Sequence, residues 1–298
     1  MKYNIRNKLI VILGPTASGK TELAIKLAKK FSGEIVSADS RQIYKKMDIG
    51  TGKATKKQMQ NIPHYLIDII NPDKEFNVTI YKKMAVKVIK DIQKRGKIPF
   101  LVGGTGLYIK AVVDNIEFPE IKPLKKLRKE LESKTAKQLF ETYKKIDPQG
   151  AKFIDKKNKR RLIRAIEVCK TTKKPFWEQR KKGKPLFDVL QIGIKMPKEK
   201  LKNKIEKRAA QMLKLGLEKE VNNLVKNYSW EISSIQTIGY QEFQPYFNKE
   251  ITKKELQQNI ILHTCQFAKR QMTWFKKDKR VKWIKNYKQA ENLIKNFK

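Results

Sequence analysis

Apolar residues follow two rhythms along the chain. Short unbroken runs rich in β-branched side chains alternate with longer stretches in which apolar positions recur every three or four residues. The run KLIVIL predicts a buried strand over 8–13, and EIVS predicts a second over 34–37. Between them ELAIKLAKKF, with Leu23, Ala24, Leu27, Ala28 and Phe31 on one face, predicts a helix. A longer helix is expected from Val78 to Arg95, with Asn77 as its N-cap and Gly96 as its stop, and it feeds a third strand, IPFLV, over 98–102. Strands and helices alternating in this way bury both faces of a parallel sheet, so the expected class is α/β, a parallel sheet wrapped by helices.

The texture changes near residue 120. Residues 121–186 keep helical spacing, with breaks at Pro123, Asp147-Pro148 and Pro175 and no strand pattern, which predicts an all-helical insertion domain. The β-like run from Phe187 to Met196 then resumes the sheet. Helices at about 198–226 and 252–277 and a short strand at 281–284 complete the pattern. The expected organisation is a core of 1–120 and 187–298 interrupted by an insertion of 121–186, with no internal repeat at a fixed period.

Composition narrows the function classes. A chain of 298 residues suits one large domain or two modest ones. It holds no unbroken apolar run of about 18 residues for a membrane span, and its N-terminal apolar stretch leads into a glycine-rich motif and not a cleavage site, against a signal peptide. Cys169 and Cys265, far apart and with only His64 and His263 for company, exclude a Cys/His zinc cage and a disulfide framework. A reducing cytoplasm is the expected home.

Charge changes the picture more. Lys and Arg number 69 against 29 Asp and Glu, a net +40, which points to a polyanionic partner, although lysine richness can also reflect genome composition. The excess is uneven: residues 151–200 carry +12 and residues 251–298 carry +10, so two basic surfaces are expected. Arg160, Arg161 and Arg164 place three of the chain's 11 arginines within five residues, a candidate nucleic-acid contact whose alternative is a solvated helix face.

The clearest chemistry lies in GPTASGKT. Gly14, Pro15, Thr16, Ala17, Ser18, Gly19, Lys20 and Thr21 satisfy G-x-x-x-x-G-K-S/T after a strand and before a helix, the context that makes this motif a P-loop. Its backbone N–H groups and helix dipole surround a phosphate, Lys20 adds a cation, and the Thr21 hydroxyl can hold Mg²⁺. A nucleotide kinase would be the ordinary reading, but the third strand ends in Val102-Gly103-Gly104-Thr105 with no acidic partner for the metal. Asp39, at the end of the second strand and expected beside the P-loop, is a candidate base; its alternative role is to cap a helix that follows.

These residues resemble a known family, the tRNA dimethylallyltransferases, also called tRNA isopentenyltransferases. The matching segments run in order: GPTASGKT, SADSRQIYKKMDIGTGK at 37–53, HYLIDI at 64–69, VGGTGLYIKA at 102–111, KNKRRLIRAIEV at 157–168, KRAAQMLKLGLEKEV at 207–221, TIGYQEF at 237–243 and FAKRQMTWFKKD at 267–278. The chain lacks the cysteines and histidines of the zinc finger found in eukaryotic members, so it is similar to the bacterial form.

The resemblance implies transfer of a dimethylallyl group from dimethylallyl diphosphate, with Mg²⁺, to N6 of the adenosine 3′-adjacent to the anticodon of a tRNA. It implies that Asp39, Thr105 and Arg208 are catalytic, with Arg208 reaching the diphosphate. It implies tRNA contacts from Asp39, Ser40, Arg41, Gln42, Thr105, Arg128, Arg160, Arg161, Leu162, Ile163, Arg164, Tyr240, Gln241, Lys269 and Arg270. The expected protein is a cytoplasmic monomer that binds an anticodon stem-loop and no membrane. An adenylate isopentenyltransferase, a nucleotide-binding RNA chaperone and a small-molecule kinase are the rivals; the first has little use for an Arg-rich insertion, the second needs no base at position 39, and the third lacks its metal-binding acid.

Overall fold

The computed structural model describes residues 7–119, 121, 124–179 and 181–297; the expected break at Pro123 lies outside them. β1 (Lys8–Leu13) leads through the glycine loop into α1 (Lys20–Lys30), followed by β2 (Gly33–Ser37), the short α2 (Lys56–Met59), β3 (His64–Tyr65), α3 (Val78–Lys94), β4 (Ile98–Gly103) and α4 (Gly106–Val113). A helical segment contributes α5 (Lys125–Glu132), α6 (Ala136–Ile146), α7 (Pro148–Ala151) and α8 (Lys159–Thr172). The chain then returns with β5 (Asp188–Ile194), α9 (Lys198–Lys214), α10 (Leu217–Asn227), α11 (Phe243–Phe247), α12 (Lys253–Phe275), β6 (Lys282–Ile284) and α13 (Tyr287–Asn296).

The six strands form one parallel sheet in the order β3-β2-β4-β1-β5-β6. β1 is buried on both faces, which is why it reads as an unbroken apolar run. Leu9, Val11 and Leu13 join the cluster that holds Tyr81, Ala85 and Ile89 of α3, while Ile10 and Ile12 join the one that holds Ala24, Leu27 and Ala28 of α1 and Ala290 and Ile294 of α13. Truncating one of these side chains, such as Ile12→Ala, costs about 2–5 kcal/mol. Asn77 caps α3 by accepting from the N–H groups of Thr79 (2.9 Å) and Ile80 (3.0 Å).

The structure refines several expectations. β2 does not lie beside β1: β4 is inserted between them, and its registers Leu13↔Gly103 and Ser37↔Val102 bring the C-terminal ends of all three strands level with one another. The strand ending in Gly-Gly-Thr is fourth along the chain, because His64–Tyr65 adds a short edge strand that is too brief to show a period. The helix expected over 198–226 is two helices, broken at Gly216, whose φ of +93° is left-handed backbone that glycine accepts without a Cβ clash. α4 and α13 had no counterpart in the sequence pattern.

Two compact units are distinguished: the described residues of 1–113 and 186–298 form one, and those of 114–185 the other. The second begins before residue 121 because Ile116 and Lys182 form an isolated antiparallel bridge near its two ends. Its own core gathers Leu131, Leu139, Tyr143, Leu162, Ile163 and Ile166. At the expected Asp147-Pro148 break, Asp147 accepts from Gly150 N–H (2.8 Å), the Tyr143 hydroxyl (2.7 Å) and Phe176 N–H (2.9 Å), ending α6 and starting α7. No helix among the described residues is long and apolar enough to cross a membrane.

Candidate functional site

The site lies where β1, β2 and β4 end. The P-loop leaves β1 at Gly14 and enters α1 through Gly19, which takes φ +89° at the N-cap and so leaves the helix N-terminus without a capping side chain. Lys20 Nζ folds back to donate to the Pro15 carbonyl (2.7 Å). Burial pushes the Lys20 ammonium down to about 8, with Asp39 supporting its charge and Arg208 opposing it. Those three charged groups therefore form one electrostatic unit, although they come from α1, the end of β2 and α9.

No helix follows β2 directly, so Asp39 is not a helix cap; it turns the chain, its Oδ1 accepting from Arg41 N–H (2.9 Å). Thr105 locks this turn to the end of β4. Its N–H donates to the Ala38 carbonyl (3.1 Å), and its Oγ1 accepts from Ser40 N–H (3.0 Å) and lies 3.3 Å from Ser40 Oγ. Beneath them the Tyr81 hydroxyl donates to the Ser37 carbonyl (2.9 Å) while its ring stacks on Tyr108 at 3.9 Å. Burial, followed by the neighbouring Tyr108 and the Asp39 charge, raises the Tyr81 phenol well above its usual value, so it stays a neutral donor.

Arg208 points from α9 to the loop after β2. Its Nη2 donates to the Thr51 carbonyl (3.4 Å), and a side chain at Gly52, itself at φ +61°, would strike the guanidinium. Burial lowers Arg208, partly offset by Asp39. The same loop, with Ala17, Lys20 and Thr21, lines a cleft of about 1090 Å³ in which Lys20, Lys56, Lys204, Lys207 and Arg208 outnumber Glu22, Asp48 and Asp68, the last two already paired with the buried Lys53, so its balance favours an anion.

Two residues that the sequence pattern did not mark hold this arrangement. Gln271 of α12 is buried; its Oε1 accepts from Thr16 N–H (2.8 Å) in the P-loop and its Nε2 donates to the Gly104 carbonyl (2.9 Å) after β4. Glu220 of α10 accepts from three successive N–H groups, those of Asp48, Ile49 and Gly50. Both lie inside segments noted for resemblance, FAKRQMTWFKKD and KRAAQMLKLGLEKEV, but nothing in their spacing sets them apart from neighbouring polar residues.

The structure divides the other expected residues into exposed and engaged. Arg160 and Arg161 are exposed on α8, as are Lys269 and Arg270 on α12, where Arg270 sits 6.0 Å from the Phe267 ring. Ser40, Arg41 and Gln241 are half-buried. Arg41 Nη1 donates to the Ser233 carbonyl (2.9 Å), and Gln42 is spent on Ser37 Oγ and on the carbonyls of Thr51 and Gly52, all at 3.3 Å. Tyr240 is fully buried, with its hydroxyl on Glu220 (2.7 Å), and Leu162 and Ile163 are core residues of α8. These three present no side-chain surface to a nucleic acid: the face of α8 that carries Leu162 and Ile163 packs inward, and Tyr240, in the turn before α11, is buried against Gly50 and Glu220.

Arg164 and Arg128 are also largely committed. The buried Glu167 accepts from Arg128 Nε and Nη2 (both 2.9 Å), Arg164 Nη1 (2.5 Å) and Leu124 N–H (2.7 Å). Burial alone would raise the Glu167 carboxyl, but the two guanidiniums and that amide outweigh it and hold it below its ordinary value. The Arg cluster thus splits between a surface pair and a structural member.

Comparison with known proteins adds a lineage. The model of the family described as IPP transferase matches residues 42–278, starting after the P-loop and Asp39. A tRNA dimethylallyltransferase of Thermoanaerobacter sp. is 44% identical over 302 residues, covering 97% of this chain and 96% of that one. Among solved structures, the tRNA isopentenylpyrophosphate transferase of Bacillus halodurans is 36% identical with a TM-score of 0.75, covering 98% and 96% of the two chains. A eukaryotic dimethylallyltransferase, described as acting on tRNA, is 29% identical with a TM-score of 0.81 and covers 97% of this chain and 77% of its own.

Proposed function

We propose, from the premise that the chain belongs to the IPP transferase family, that it transfers a dimethylallyl group from dimethylallyl diphosphate to N6 of the adenosine 3′-adjacent to the anticodon of tRNA. The observation that carries this reading is the cleft lined by Lys20, Thr21 and Arg208 at the C-terminal ends of the strands, with Asp39 at the end of β2 supporting the charge of both cations: two cations for a diphosphate and one carboxylate for a proton.

The P-loop N–H groups, Lys20 and Arg208 bind the diphosphate. Negative charge grows on the bridging oxygen as the allylic C–O bond breaks, so these donors hold the transition state more tightly than the ground state. Adenine N6 is a weak nucleophile because its lone pair is delocalised into the ring; as the new C–N bond forms, Asp39 accepts the N6 proton. Thr105 acts through Ser40, keeping the Asp39 turn in place. Thr21, exposed at the start of α1, is the residue that would hold Mg²⁺ here. When bound, the ion would neutralise charge on the leaving diphosphate.

For the tRNA, the exposed pairs Arg160/Arg161 and Lys269/Arg270 supply backbone contacts, with Ser40 and Arg41 nearest the target base. The protein works as a monomer in the cytoplasm. Incubation with labelled dimethylallyl diphosphate, Mg²⁺ and unmodified tRNA, followed by mass spectrometry of the nucleosides, should yield N6-dimethylallyladenosine. Turnover of ATP without prenyl transfer would defeat the reading.

A further inference from the structure

The Glu220 carboxylate accepts four hydrogen bonds. Oε2 takes those from the backbone N–H groups of Asp48 (3.0 Å) and Ile49 (2.8 Å); Oε1 takes those from Gly50 N–H (3.0 Å) and the Tyr240 hydroxyl (2.7 Å). Three successive N–H groups converging on one anion is how a loop binds phosphate, and here the protein supplies the anion itself. The Tyr240 ring lies so close to Gly50 that a Cβ there would collide with it. The loop is pinned from both sides.

What the loop carries is the seat of Arg208. Directly after the pinned residues, the Thr51 carbonyl accepts from Arg208 Nη2 (3.4 Å), Gln42 Nε2 reaches the carbonyls of Thr51 and Gly52 (3.3 Å each), and Gly52 backs the guanidinium with no room for a side chain. Arg208 and Glu220 sit on α9 and α10, consecutive helices joined at Gly216, so the arginine and the anchor of its seat travel as one piece of chain. We infer that Glu220 is a positioning residue for the donor site: by fixing residues 48–52 it holds the Arg208 guanidinium where the diphosphate arrives. This rests on the reading above, in which Arg208 meets that diphosphate.

The test is Glu220→Gln, which keeps shape but replaces one acceptor oxygen with an NH₂ group that faces backbone N–H donors. The KM for dimethylallyl diphosphate should rise roughly tenfold or more, as expected when one charge-assisted hydrogen bond to the donor is removed, and the KM for tRNA should stay within about twofold. Glu220→Asp, which keeps the charge on a shorter stem, should fall between, and it serves if the amide variant does not fold. Leu224→Ala, a core truncation on the same helix, is the control: it should lower Tm without moving the donor KM. A Glu220→Gln or Glu220→Asp enzyme that loses stability as Leu224→Ala does yet keeps the parent's donor KM overturns the inference. Calorimetric titration with inorganic pyrophosphate reads the same site without turnover. If the parent chain transfers no prenyl group, the proposed function fails instead, and weaker pyrophosphate binding by the Glu220 variants still decides the role of this residue.

Discussion

Replacing Asp39 by Asn separates its two possible tasks. The amide retains an Oδ1 that can accept from Arg41 N–H as the carboxylate does at 2.9 Å, so the turn after β2 should form and the variant should fold. What disappears is a proton acceptor and a negative charge. Loss of the acceptor should lower kcat by roughly 10²–10⁴-fold, the usual worth of a general base. Loss of the charge acts on Lys20, which burial already depresses from 10.5 to about 8 and which Asp39 holds up against Arg208. In the free parent enzyme, kcat/KM for the donor should therefore fall as pH rises through about 8, where Lys20 loses its proton. In the variant that fall should begin at lower pH. The sign for stability runs the other way: with the folded value below the unfolded one, the unfolded chain binds more protons between about 8 and 10.5, so Lys20 contributes stability that increases with pH across that window. The assay is single-turnover transfer of labelled dimethylallyl diphosphate to unmodified tRNA across pH. A rate within a few-fold of the parent at every pH would show that position 39 only shapes the turn.

Three further outcomes follow from the same geometry. Arg160→Ala with Arg161→Ala should weaken tRNA binding and flatten its salt dependence by roughly 0.7–0.9 log unit for each phosphate no longer neutralised, without changing the donor KM; an unchanged salt slope in filter binding refutes a role for this surface. Glu167→Ala leaves the guanidiniums of Arg128 and Arg164 facing a vacated buried position, at a cost near the lower end of about 3–5 kcal/mol because both arginines are one-third exposed. Since Glu167 is held below its ordinary value, its contribution is present above the unfolded carboxylate pKa and is lost as pH falls through the folded one; thermal unfolding of the variant should show both a lower Tm and a weaker acid dependence, and an unchanged Tm would count against the pair. Gln271→Leu strips partners from Thr16 N–H and Gly104 C=O, about 1–3 kcal/mol for each group left unsatisfied, and should raise the donor KM and lower kcat together; a parent-like enzyme would show that the P-loop holds its shape without α12.

Local features were legible in the order of the amino acids. The strand over 8–13, the glycine loop with its lysine, the helix capped by Asn77 and the helical texture after residue 120 all follow from period, capping chemistry and glycine placement, which act within a few residues of chain. Folding settled whatever depends on partners distant in sequence. It inserted β4 between β1 and β2 and so made Thr105, not the P-loop, the immediate neighbour of the Asp39 turn. It brought Gln271 to Thr16 across 255 positions and Glu220 to Asp48 across 172. It also sorted chemically equal residues by burial: Arg160 and Arg161 face outward while Arg164 turns to Glu167, and Tyr240 disappears into the packing against Gly50. Spacing along a helix assigns a residue to a face, but whether that face meets water, a carboxylate or a ring depends on which elements pack against it, and that is settled only when the whole core closes.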